Sequence, residues 1–119
     1  MARTRALLVV AAAVLLALSA CAAEPTGPEP VTLAELAAQQ EQHDGTFVVT
    51  EGIVRTYDTP PHYWIEDVDL NRVELVPMKD VEGLVGHEIR VVGRFSFQDD
   101  RGRVITVDDL EVLRERPAA

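Results

Sequence analysis

The sequence predicts a mainly β domain of five strands, with one helix before them and a short helix between the third and fourth. Three observations lead there. From Thr46 onward, apolar and polar residues alternate with period two, and valine, isoleucine and aromatics dominate the apolar set. Clusters of Pro, Gly, Asp and Asn interrupt that alternation at short intervals. Ahead of it stands a segment with helical spacing and its own cap.

The elements follow in order. Thr32 suits an N-cap and Glu35, three residues on, completes a capping box; Leu33, Leu36 and Ala37 then share a face. A helix is expected from Leu33 to about Gln42, ending near Asp44-Gly45. Thr46 to Tyr57 reads as the first strand, with Phe47, Val49, Ile53 and Tyr57 on one side and Gly52 marking a bulge or sharp coil. Asp58-Thr59-Pro60-Pro61 is a loop. His62 to Glu66 forms the second strand, with Tyr63 and Ile65 on one face and Trp64 on the other. Asp67 to Asn71 turns the chain into a third strand, Arg72 to Val76, which Pro77 stops. Met78 to Leu84 fits a short helix closed by Gly83 or Gly86. Ile89, Val91, Gly93, Phe95 and Phe97 face one way along a fourth strand, Glu88 to Phe97. Gln98 to Gly102 makes a hairpin turn, and a fifth strand runs from Arg103 to Leu113.

This order is that of the OB-fold, a partly open Greek-key barrel whose ligand face is its second and third strands with the flanking loops. Three local motifs resemble small bacterial OB domains of the tRNA-anticodon-binding type. Thr50-Glu51-Gly52-Ile53-Val54 resembles their first strand, where glycine lets the strand coil. Tyr63-Trp64-Ile65-Glu66-Asp67 is similar to their aromatic-x-aliphatic-x-Asp second strand. Gly86 to Arg94 resembles the fourth, Gly-x-x-Val-x-Val-x-Gly. The resemblance covers about Thr46 to Leu113 and implies a fold rather than a function, because this barrel hosts many functions. An SH3-like or other small barrel is the alternative.

The N-terminus implies a location. Arg3 and Arg5 precede an apolar run from Ala6 to Ala20 that ends in small residues, the parts of a secretory signal. The run is shorter than the roughly 20 apolar residues of a membrane span. It closes with Leu18-Ser19-Ala20-Cys21, which resembles the lipobox of bacterial lipoproteins. That resemblance implies cleavage before Cys21 and a diacylglyceryl group on its sulfur. Two acyl chains suffice for stable anchoring, where one does not. Ala22 would permit sorting to an outer membrane in a diderm cell. The expected organisation is a signal peptide over 1–20, a lipidated cysteine and Pro-rich tether over 21–30, and the folded domain over 31–116. The expected setting is extracytoplasmic, tethered to a membrane.

Charge narrows the partners. Losing Arg3 and Arg5 leaves nine basic against twenty acidic side chains, a net charge of −11 where the whole chain carries −9. Acidic surfaces repel phosphate backbones and anionic headgroups, which weighs against nucleic acid as a partner. Cys21 is the sole cysteine, so the domain is held by its core and not by a disulfide.

Catalytic chemistry has little to work with. The sequence carries no Gly-rich phosphate loop, no nucleophile elbow and no His-Glu-x-x-His, and Ser96 is the one serine beyond Cys21. His43, His62 and His87 fall in separate elements, as surface histidines do. Asp67, Asp69 and Asn71 have the opening spacing of a calcium loop, but Arg72 and Met78 stand where that loop needs Gly and Glu. A hydrogen-bonded turn is the simpler expectation there. No cofactor is expected.

The candidate binding surface is aromatic and basic. Trp64 and Arg72 lie on the second and third strands, Tyr57 and His62 border the first loop, and Arg101 and Arg103 border the last hairpin. An aromatic plane ringed by arginines stacks bases or sugars, or forms a protein hot spot. Packing of Trp64 over the barrel end, with the arginines paired to Glu66, Glu74, Asp99 and Asp100, is the competing expectation. The functional expectation is a lipid-anchored, non-catalytic module that binds an envelope protein or a small ligand. Binding of single-stranded nucleic acid or oligosaccharide is one alternative, and a weak metal-binding envelope protein another.

Overall fold

The computed structural model describes residues 27–118. The lipobox with Cys21 and the expected signal lie outside them, as does all but the end of the expected tether. Glu29 and Pro30, the last two residues of that tether, form a short strand, β1. Helices α1 (Leu33–Ala38) and α2 (Gln40–His43) follow, then β2 (Phe47–Asp58), β3 (Pro61–Glu66), β4 (Arg72–Val76), β5 (Glu88–Gln98) and β6 (Gly102–Arg114). The chain is mainly β, as expected, but the sheet has six strands and not five, because β1 joins it. Among the described residues no helix is long and apolar enough to cross a membrane.

The capping box forms. Thr32 Oγ1 accepts from the Glu35 N–H at 3.0 Å, and the Glu35 carboxylate accepts from the Thr32 N–H at 2.7 Å. The single helix expected to Gln42 is broken at Gln39, which lies outside helical space at φ −129° and ψ 43°. Burial explains the break: α1 buries Leu33 and Leu36, whereas α2 buries no residue and has nothing to hold it in line with α1.

The strands pair into a ring. The order is β1-β2-β3-β4-β6-β5, and β2 also pairs with β5. The long β2 makes this closure, since Phe47–Ile53 pair with β5 and Ile53–Asp58 pair with β3. Strands β4 and β6 pair in parallel, and the other ring pairs are antiparallel. Inside lie Val48, Val54, Ile65, Val73, Leu75, Ile89, Val91, Phe95 and Ile105, with Leu33 and Leu36 of α1 packed against them.

Phe47, Val49, Ile53 and Tyr57 do share one side of β2, and that side is the outer one. Val48, Thr50, Gly52 and Val54 point inward, and Phe47, Val49, Ile53 and Tyr57 point outward. Gly52 decides this. An added Cβ there would meet Leu33 Cδ1 at 2.9 Å, Ile65 Cβ at 3.0 Å and the Glu66 nitrogen at 3.1 Å. The register with β5 runs through Gly52 without a shift, so the residue serves close packing and not a bulge. Register shifts occur instead between β5 and β6, where Val92 faces Asp109 and Gly93 faces Val107, leaving Asp108 as the extra residue.

Two connections are tighter than expected. The loop before β3 shrinks to a hairpin in which Asp58 pairs with Pro61. The expected helix over Met78 to Leu84 is a single 3-10 turn at Met78–Asp80, followed by hydrogen-bonded turns to His87. Val81 is its buried anchor, and Leu84 and Val85 also pack against the core, so the segment is held by those contacts as a series of turns and not as a regular helix.

Candidate functional site

The outward faces of β2, β3 and β4 meet in one strip. Strand alternation turns Ile65 inward, where it is fully buried, and leaves His62, Trp64 and Glu66 outward. Antiparallel pairing sets Arg55 of β2 beside Trp64, and Tyr57 beside His62. On the other side, β4 sets Glu74 beside Trp64 and Arg72 beside Glu66.

An aromatic series crosses the strip. The Tyr57 and His62 rings are 6.0 Å apart between centroids, and the His62 and Trp64 rings 5.1 Å apart with a 31° tilt. The Arg72 guanidinium carbon lies 5.1 Å from the Trp64 ring centroid, a cation–π distance. His62 Nδ1 sits 2.9 Å from the Pro60 carbonyl oxygen. That oxygen only accepts, so Nδ1 carries the hydrogen of this contact.

Glu66 organises the strip. Its Oε1 accepts from Trp64 Nε1 at 2.9 Å and pairs with Arg72 Nε at 3.3 Å. Its Oε2 pairs with Arg55 Nε at 3.3 Å. The side chain is 12% exposed, against 46% for Arg55 and 53% for Arg72. The Trp64 hydrogen bond, followed by those two arginines, outweighs the cost of burial and holds the Glu66 carboxyl below its ordinary value. One carboxylate thereby fixes the indole plane and both cations around it.

Beside the indole is a shallow depression of about 270 Å³, lined by His62, Trp64, Arg72, Glu74, Gly102 and Arg103. Arg103 is held in place: its Nε donates to the Arg72 carbonyl at 2.9 Å and a terminal nitrogen donates to Gln40 Oε1 at 2.8 Å. Five of the expected surface residues thus gather, namely Tyr57, His62, Trp64, Arg72 and Arg103. Arg101 lies in the β5–β6 turn, exposed, and does not line the depression. The expected pairing of arginines with acids holds for Arg72 and Glu66, whereas Arg103 uses a carbonyl and an amide. Arg55 and Gln40 escape a sequence reading because only antiparallel register and the fold of α2 bring them here. Glu66 was open to it, two residues past Trp64 on the same strand face.

The Asp67–Asn71 segment is a turn built on one carboxylate. Asp67 Oδ1 accepts from the Asp69 and Asn71 N–H groups, each at 2.9 Å, and Oδ2 accepts from Asn71 Nδ2 at 2.8 Å. Burial pushes the Asp67 carboxyl up, but these hydrogen bonds outweigh it and hold it below its ordinary value. Leu70 takes a positive φ of 67° to close the turn. Asp67, Asp69 and Asn71 are therefore joined by local hydrogen bonds, and no cluster of three or more metal-ligating side chains occurs among the described residues.

The arrangement presents a row of tilted aromatic rings with fixed cations and fixed hydrogen-bonding groups. That suits stacking and charge recognition of a planar or anionic group.

No family model matches the chain, and no curated protein matches it. A solved structure does: an aspartyl-tRNA synthetase from Leishmania major Friedlin aligns over 87% of this chain with a TM-score of 0.57 and 10% identity. The aligned part is 24% of that longer chain. At this identity the likeness is one of fold, and it supports an OB-like architecture.

Proposed function

We propose that the chain is a lipid-anchored, extracytoplasmic OB-fold barrel that binds a partner without catalysing a reaction. In this reading the binding surface is the β3–β4 face, and the partner is an envelope protein or a small ligand. The observation that carries it is the Glu66-centred assembly of Trp64, Arg72 and His62 beside a depression. An indole held by a carboxylate and covered by a cation loses little freedom on binding, which favours affinity. Half-exposed aromatic and arginine side chains are the residue types that dominate hot spots. The lipobox resemblance at Cys21 supports the membrane tether.

Crosslinking in intact envelopes tests this. The parent chain and a Trp64→Ala/Arg72→Ala double variant are compared by quantitative mass spectrometry, with folding of the variant checked by its thermal midpoint. A partner captured by the parent and lost from the folded variant is the expected result. Equal capture by both would remove this face as the protein-binding surface.

A second reading is single-stranded nucleic acid, favoured by the stacking platform and by the tRNA synthetase of similar fold. The net charge of −9 opposes it. Trp64 is the sole tryptophan, so its emission reports on this face alone. Titration with a ten-nucleotide thymidine strand is expected to leave that emission unchanged at physiological salt. Quenching that weakens steeply as salt rises would establish the second reading.

A further inference from the structure

A second surface lies around the corner from the aromatic strip. An open groove of about 700 Å³ runs between Pro30–Leu33, the Val49–Ile53 stretch of β2, and Glu66 at the end of β3 with Asp67 and Val68 of the turn after it. Its floor is a gap in strand pairing. One edge of β2 pairs with β5 over Phe47–Ile53. The opposite edge is covered by β1 at Val48 and Val49, and by β3 from Ile53 onward. Thr50, Glu51 and Gly52 lie between these covers.

Strand alternation decides which backbone groups face the gap. The Thr46 carbonyl accepts from Phe95 and the Val54 N–H donates to His87, so even-numbered residues bond toward β5. Val31 N–H donates to the Val49 carbonyl at 3.0 Å, so odd-numbered residues bond toward the other edge. Glu51 is the odd residue in the gap. Among the described residues no strand pairs with it on that edge. From Val49 to Ile53 the gap spans about 13 Å at the ordinary strand rise, room for about three residues of an added chain.

The walls and rim select the chemistry of that chain. Val31, Val49, Ile53 and Val68 give apolar walls, and Val68 is 93% exposed. The rim carries Glu35, Glu51, Glu66, Asp67 and Glu88. Its one cation, Arg90, is already bridged to Glu51 at 2.9 Å and Glu111 at 2.8 Å. Thr50, also part of the lining, is 2% exposed, and its hydroxyl has no hydrogen-bond partner. A free backbone edge between apolar walls and an acidic rim matches an extended peptide that alternates apolar and basic side chains.

We propose that this groove binds a short, basic, extended peptide segment that adds as a strand beside Glu51. Its apolar side chains meet Val31, Val49 and Val68, and its basic side chains meet the acidic rim. The groove adjoins the β3–β4 face and shares Glu66 with it, but His62, Trp64 and Arg72 do not line it.

The test uses the full chain, labelled with nitrogen-15, and a capped Lys-Val-Lys-Val-Lys peptide as probe. Saturable amide shifts are expected at Val31, Glu51, Gly52 and Val68, with Tyr57 and His62, at the far end of the β3–β4 face, unmoved. Glu51→Lys and Val68→Ser are each expected to weaken the peptide at least tenfold; Val68→Ser keeps the parent's thermal midpoint, because Val68 is too exposed for its loss to affect folding, and Glu51→Lys, which loses its bridge to Arg90, stays folded with a slightly lower midpoint. Lys-Ser-Lys-Ser-Lys, Glu-Val-Glu-Val-Glu and a backbone N-methylated copy of the probe are expected to bind at least tenfold more weakly. Equal binding of any of these three would overturn the proposal, by showing respectively charge attraction alone, indifference to the acidic rim, or side-chain capture without strand addition. Shifts confined to the β3–β4 face, no shifts at millimolar probe, or unchanged affinity in both variants would overturn it as well.

Discussion

The β5–β6 hairpin and the β3–β4 hairpin belong to one ring, yet different forces hold them. The first is long and steric. It turns Ile89, Val91, Phe95 and Ile105 into the core, and Gly93 lets it pass so close to β6 that an added Cβ would run into the Thr106 carbonyl oxygen. The second is short, and much of its distinctive chemistry is outside. Trp64, Glu66 and Arg72 are tied by a hydrogen bond, an ion pair and a cation–π contact on the solvent side. The contrast teaches where stability and recognition separate. Buried apolar area and close packing make the ring, whereas the polar cluster orders a surface and adds little to the fold.

The strongest way to break that contrast is Phe95→Ala. The ring is fully buried, so the loss of burial plus the cavity is expected to cost about 3–5 kcal/mol. A urea-denaturation series measures it, and a cost under about 1 kcal/mol would contradict a packed interior. Gly93→Ala comes next, at about 2–3 kcal/mol, because a backbone carbonyl cannot move aside as a flexible side chain can. Retention of the parent's midpoint by this variant would show that β5 and β6 can separate without loss.

Glu66→Gln sharpens the other side. It removes two ion pairs from exposed arginines and keeps the shape, so a stability loss of about 1 kcal/mol or less is expected. A larger change is expected in Trp64 emission, because the indole N–H loses a charged acceptor. Unchanged emission would mean that the carboxylate does not order the indole.

The smallest effect is in pH. The Glu66 carboxyl is held below its ordinary value of 4.5 in the folded state. Its contribution is therefore fully present above that value and is lost as pH falls through the lower, folded value. Asp67 acts in the same direction from its ordinary value of 3.8. Denaturation midpoints between about pH 6 and pH 3 should fall less for Glu66→Gln than for the parent, with the Asp67 part remaining. Identical profiles for the two proteins would show that Glu66 is no better stabilised folded than unfolded.

Much of the fold was legible in the chain. The capping box at Thr32 and Glu35, the inward set on β5, the stop at Pro77 and the hairpin at Gln98–Gly102 all depend on neighbours within a few residues. The face of β2 was not legible, because both of its faces carry apolar residues and alternation alone cannot choose between them. The choice came from Leu33 and Ile65, which occupy the space beside Gly52. Helix length failed for a related reason. Ala37 to His43 is compatible with a helix, but α1 continues only while it has Leu33 and Leu36 to bury.

The candidate site divides the same way. Trp64, Arg72, His62 and Tyr57 stand out by residue type and strand position, and the ring brings them together. Glu66 as the shared acceptor, Arg55 across the strand and Gln40 under Arg103 depend on register and on how α2 sits. The gap beside Glu51 depends on β1, two residues drawn into the sheet from a Pro-rich segment that carries no strand signal.

By itself the sequence determined which residues are strand-like, where the turns fall, where the helix begins, and which side chains offer recognition chemistry. Each of these is set by covalent geometry and by hydrogen bonds within a few residues. Tertiary structure alone decided which face of β2 is inside, where α1 stops, that β1 joins the sheet, and that one carboxylate serves three partners. Those outcomes depend on excluded volume and pairing between segments far apart in the chain, which no local pattern encodes.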